Sequence, residues 1–204
     1  AYKGADLASK MTQAGAMVRV IMTGSAQEFV SPLTFEAITT NAVITDMYQT
    51  TAEHRINHIS LSEVANAVVI APATANIIAK IAGGIADDML TCTVLATRAP
   101  VIIVPAMHTQ MYQNEITQDN INKLKARGFS IVEPAVGRLA SGFPPFRGTP
   151  DEGAANAPIG SGGFRFIGRS REIRIAATGD ALTVPTSGLI VLPVDERRSF
   201  GAGN

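Results

Sequence analysis

Short apolar runs rich in β-branched residues alternate with amphipathic stretches over most of the chain. Residues 17–22 (MVRVIM), 67–70 (AVVI), 101–104 (VIIV) and 129–132 (FSIV) read as strands. The four-residue runs 67–70 and 101–104 lack polar alternation, which predicts strands buried on both faces. Helical spacing fills the intervals. Residues 2–14 place Ala5, Leu7, Ala8, Met11 and Ala14 on one face, with Gly15 as the stop. Further helices are expected from Ser25, from Pro32 to about Thr39, over 59–65, over 76–82 until Gly83-Gly84, over 89–96, and over 114–127 before Gly128. Residues 46–55 are polar and read as a loop. This alternation predicts an α/β protein, a doubly wound parallel sheet in a three-layer α/β/α arrangement.

The pattern changes towards the end. Residues 137–163 are rich in Gly, Pro and Ala and read as a loop or flap. Runs 173–177 and 189–192 are strand-like, with no helix between them, and 197–204 reads as an untethered tail. We therefore expect one domain over 1–150 and a flap with a C-terminal extension, partly irregular, over 151–204. A doubly wound sheet normally opens on a strand, whereas this chain opens on a helix. A first strand and its turn are expected to precede Ala1.

Composition narrows the function. Lys plus Arg and Asp plus Glu number 17 each, with three Tyr and no Trp, which disfavours a nucleic-acid surface. No apolar run approaches the roughly 20 residues that span a bilayer, and no signal peptide is visible. The single cysteine, Cys92, suits a reducing cytoplasm and sits in an apolar helical pattern that predicts core packing. His54 and His58 are four apart, but no third ligand follows, so no metal site is expected.

Candidate chemistry sits where strands end. Thr23-Gly24-Ser25 follows the first strand and Thr74-Ala75-Asn76 the second. Helix-initiating turns expose N–H groups that attract anions, so each turn is either a phosphate site or an ordinary cap formed by Ser25 or Asn76. Two such turns on one sheet edge bring the ligand reading level with that of ordinary caps. Asp87-Asp88 reads as a helix N-terminal charge pair, with Asp88 a candidate to orient the Thr74 turn.

Several motifs in register carry a resemblance. APATANIIAKIAGGIADDMLT (71–91) resembles the PASANT motif of the homo-oligomeric flavin-containing cysteine decarboxylases, and PAMHTQMY (105–112) resembles that family's Pro-x-Met-Asn-x-x-Met-Trp signature. VRVIMTGSAQEFVSPLTFEAI (18–38) and INHISL (56–61) match two further family segments, and the likeness covers about residues 1–150. It implies a flavodoxin-like fold binding FMN between subunits of a homotrimer, with dodecamers as a further assembly. Thr23 and Ser25 would hold phosphate or ribityl oxygens, and Phe35 would lie near the isoalloxazine ring. Thr74, Ala75, Asn76 and Ile77 would occupy the PASANT positions, and Ala106 and Met107 would line the flavin. His58 would be the catalytic base, its reference pKa of about 6.5 suiting proton transfer near neutrality. His108, Met111, Arg138, Leu139 and Ala140 would contact a small cysteinyl substrate.

The implied reaction is decarboxylation of phosphopantothenoylcysteine in coenzyme A biosynthesis. The alternatives are oxidative decarboxylation of a peptide C-terminal cysteine, or non-catalytic flavin binding. Two departures bear on the choice. His108 stands where the family has the asparagine that binds the substrate carboxylate. Ser141 stands where the coenzyme A branch has the cysteine that acts as the final acid. A hydroxyl is a far weaker acid than a thiol of pKa about 8.5.

Overall fold

The computed structural model describes residues 2–47, 57–132, 135–137, 154–156, 172–176, 181–185 and 189–194. Helix α1 (Tyr2–Gln13) is followed by β1 (Met17–Met22), α2 (Gly24–Gln27) and α3 (Pro32–Thr39). Then come α4 (Asn57–Val64), β2 (Ala65–Ala73), α5 (Ala75–Gly83), α6 (Met89–Ala96) and β3 (Val101–Met107). Helices α7 (Thr109–Gln113) and α8 (Glu115–Ala126) precede β4 (Ser130–Ile131). Five strands follow: β5 (Ala135–Gly137), β6 (Ala154–Asn156), β7 (Glu172–Ala176), β8 (Ala181–Pro185) and β9 (Leu189–Val194).

The main sheet has the order β1-β9-β2-β3, with β4 parallel to β3 and the β6–β5 pair antiparallel beyond. Strands β7 and β8 form a separate antiparallel hairpin. The doubly wound α/β architecture is as the periodicity predicts. Within 151–204, β7 and β9 fall on the strand-like runs 173–177 and 189–192.

Successive strand residues alternate between two cores. Val18, Val20 and Met22 of β1, Ala67, Val69 and Ala71 of β2, and Ile102 and Val104 of β3 join Leu7, Met11 and Phe35 on the α1/α3 side. Ile21, Val68, Ile70, Ile103 and Met107 join Ile77, Leu90, Ile121 and Leu124 on the α5/α6/α8 side. Both sets are apolar because helices cover both faces, and this accounts for the unbroken runs in the sequence. The glycine stops also hold: Gly15 has φ +93° and Gly84, the C-cap of α5, has φ +72°, values that side chains disfavour.

Candidate functional site

Strands β1, β2 and β3 all run in one direction, β1 through its parallel pairing with β9, so Met22, Ala73 and Met107 end on one sheet edge. Each is followed by a side-chain cap that opens a helix. Thr23 Oγ1 accepts from the Ala26 N–H at 3.3 Å, Thr74 Oγ1 from Ile77 at 3.4 Å, and His108 Nδ1 from Gln110 at 3.3 Å. The same device thus recurs three times on one edge.

The caps are Thr23 and Thr74 rather than the expected Ser25 and Asn76. A cap must be extended and precede the first helical residue. Thr23 (ψ 158°) and Thr74 (ψ 165°) satisfy both conditions, whereas Ser25 and Asn76 already lie inside α2 and α5. Ser25 is exposed, Ala75 and Asn76 are half-buried, and Ile77 is buried in the core. On the third turn Ala106 is half-buried, Met107 buried, His108 exposed and Met111 50% exposed.

The remaining expected residues are placed differently. Phe35 is 0% exposed, enclosed with Leu7, Met11, Val20 and Ala26, and presents no surface at the edge. His58 lies in the first turn of α4 and is half-buried. Its Nδ1 is buried without a hydrogen-bond partner among the described residues. Arg138, Leu139, Ala140, Ser141 and His54 lie outside the described residues.

A clamp that sequence periodicity missed ties α5 to the start of α6. Lys80, about one turn along α5 from Asn76, bridges Asp87 at 2.7 Å and Asp88 at 3.1 Å. Asp88 caps α6 in a capping box: its carboxylate accepts from the Thr91 N–H at 2.8 Å, while Thr91 Oγ1 accepts from the Asp88 N–H at 3.1 Å. Burial acts to raise the Asp88 pKa, but the Thr91 hydrogen bonds and the Lys80 charge outweigh it and hold the carboxyl below its usual 3.8. Likewise burial opposes the Lys80 charge, and the two carboxylates overcome it and raise its pKa. The depressed Asp88 pKa contributes stability above the unfolded carboxyl value, which is lost as pH falls through the lower folded value. We expect Asp88→Ala to cost about 0.5–2 kcal/mol at neutral pH. The difference from the parent should shrink below about pH 4; urea melts across that range check it.

Cys92 is half-buried rather than core filler, because Met89, Leu90, Thr93 and Val94 take the inward positions of α6. Its thiol lies 3.5 Å from the Ala86 carbonyl oxygen, and burial, then the Asp88 and Asp87 charges, push its pKa up. Among the described residues no three His, Cys, Asp or Glu side chains group to hold a metal ion. No helix among them is long and apolar enough to cross a membrane.

Known proteins resemble this chain in sequence and in fold. The chain is 49% identical over 142 residues to the coenzyme A biosynthesis bifunctional protein CoaBC of Bacillus subtilis, an alignment covering 70% of this chain and 35% of that protein. The CoaBC of Mycobacterium tuberculosis is 42% identical over 158 residues, covering 78% and 35%. The chain therefore spans about a third of the length of these relatives. Among solved structures, a PPC decarboxylase variant complexed with pantothenoylaminoethenethiol superposes with TM-score 0.59 at 30% identity, covering 74% of this chain and 84% of that one. The FMN-dependent cysteine decarboxylase SpaF superposes with TM-score 0.55 at 41% identity, covering 57% and 66%. A family model described as Flavoprotein matches residues 1–159, a span that holds all three capped turns and His58, and the chain belongs to that family.

Proposed function

We propose that this chain is an FMN-dependent decarboxylase acting on phosphopantothenoylcysteine to give phosphopantetheine, a step of coenzyme A biosynthesis. The observation that carries the reading is the row of three capped turns on one sheet edge, in a chain 49% identical to CoaBC over the aligned region. The donor set fits a flavin phosphate: helix-initiating turns direct N–H groups outward, beside the small residues Gly24 and Ala75. Bound FMN would supply two-electron oxidation of the cysteinyl group. Self-association as a homotrimer, its further assembly into a dodecamer and a cytoplasmic location belong to the same reading.

The chain's own residues divide the remaining work. His58 is the base: its buried Nδ1, without a hydrogen-bond partner among the described residues, gains one when a ligand group meets it, recovering desolvation of about 1–3 kcal/mol. His108 takes the place of an amide. Its Nδ1 is an acceptor in the α7 cap, so the neutral ring carries its proton on Nε2. One nitrogen therefore caps while the other is an N–H donor for the substrate carboxylate, the two capacities an asparagine side chain offers. We expect His108→Asn to keep KM within a few-fold, and His108→Ala to raise it about 10–100-fold, the equivalent of a charged hydrogen bond of about 1.5–3 kcal/mol. Steady-state kinetics on the three proteins check this.

A second reading rests on Ser141 and on the 41% identity to SpaF. If Ser141 stands where the final acid is needed, the reaction stops at an oxidised enethiol product. Anaerobic mixing of the FMN-loaded protein with phosphopantothenoylcysteine separates the cases. Carbon dioxide release with recovery of the oxidised flavin band supports the first reading. Persistent bleaching with an enethiol product supports the second. No spectral change and no carbon dioxide reject both.

A further inference from the structure

Helix α7 opens on the His108 cap and carries Met111, and it is five residues long with none of them buried. A single turn of helix does not persist in water on propensity alone. Its position therefore depends on the contacts made at its two ends.

Tyr112 is where those contacts converge. Its half-buried side chain packs against the α5/α6/α8 core. Its N–H donates to the His108 carbonyl oxygen at 3.0 Å, closing the turn that the His108 ring also caps. Its own carbonyl oxygen accepts from Gln118 Nε2 at 2.5 Å. In a continuous helix the Ile116 N–H would serve that carbonyl. Here Asn114 Oδ1 takes the Ile116 N–H at 3.0 Å to open α8, and the Gln118 amide stands in its place. A carbonyl oxygen only accepts, so the amide nitrogen of Gln118 faces it and not the amide oxygen. Gln118 lies near the start of α8, a helix seated in the core through Thr117, Ile121 and Leu124.

We infer that Gln118 is a positioning residue, which by holding the Tyr112 carbonyl fixes the α7 turn to α8 and sets where His108 presents its ring. The inference rests on the reading of His108 as the group that takes the substrate carboxylate. Gln118 acts through His108 and Tyr112 rather than on the substrate itself.

Gln118→Glu tests it, keeping the side chain's size while setting a carboxylate oxygen against the Tyr112 carbonyl. KM for phosphopantothenoylcysteine is expected to rise about tenfold, within the worth of one hydrogen bond to a partly buried group, with kcat changed less than about threefold. In the His108→Ala background the same change should raise KM no further, because residues that act through one another are not additive. A merely structural residue would add its effect in both backgrounds. Amide exchange of Tyr112 should quicken about tenfold in Gln118→Glu, while residues 102–104 of β3 exchange as in the parent. Gln118→Met removes the donor without adding charge, and it gives the same direction of change should the carboxylate variant fail to fold. An unchanged KM, additive effects in the two backgrounds, or an unchanged Tyr112 exchange rate each overturn the proposal. A parent protein that releases no carbon dioxide rejects the decarboxylase reading instead, and Tyr112 exchange still decides whether Gln118 holds the turn.

Discussion

Asparagine in place of His58 is expected to lower decarboxylation by about 10²–10⁴-fold, the usual contribution of a placed base, while the protein still binds FMN. His58 occupies the first turn of α4, where asparagine and histidine have similar helix propensities. The helix should therefore survive the change. An amide can occupy the space around Nδ1, which lacks a partner among the described residues, but cannot take up a proton near neutrality. Turnover, flavin absorbance and thermal unfolding measured on the same preparation separate the possible roles. Lost turnover with an unchanged melting temperature and an intact flavin band identifies chemistry. Full retained activity removes His58 from the mechanism, and a parallel fall in melting temperature reassigns it to structure.

Phe35→Ala is expected to destabilise the fold by about 3–5 kcal/mol, the cost of emptying a closed aromatic site. Phe35 is 0% exposed and joins α3 to α1 and β1 through Leu7, Met11 and Val20. The family resemblance places it beside the flavin ring, yet in this structure the side chain has no open face. The two roles predict different results for Phe35→Leu, which keeps the core apolar and the protein folded. If the side chain acts through the core, urea melts shift and FMN affinity changes by less than about threefold, well under the 1.4 kcal/mol that a factor of ten represents. A loss of FMN affinity beyond tenfold, with stability largely kept, would return Phe35 to the flavin.

How much of this was readable from residues alone depended on the kind of signal. The runs at 17–22 and 101–104 were legible because helices cover both sheet faces, leaving no polar alternation to confuse them. Cap positions were not. Thr23-Gly24-Ser25 and Thr74-Ala75-Asn76 each offer two capping side chains within three residues, and only the extended backbone at the first of them selects it. Asp87-Asp88 was visible as a charge pair, but Lys80 was not linked to it, since the contact crosses the Gly83-Gly84 break and follows no helical period. The apolar run at 189–192 announced a strand. Its place between β1 and β2 is a matter of pairing across most of the chain, which local pattern does not encode. The sequence marks His108 as a departure from a motif; that its ring nitrogen closes a helix turn is a matter of geometry.

The late position of β9 also sets a schedule for biosynthesis. β2 ends at Ala73 and β9 at Val194, so translation at about 5–20 residues per second leaves about 6–25 s between them. Throughout that interval the main-chain groups of β1 and β2 that pair with β9 in this structure lack those partners. Such edges are templates for misassembly, most of all between neighbouring nascent chains on one message. Recovery of folded protein should therefore respond more to cooler expression, slower initiation and chaperone supply than the modest size of the chain suggests.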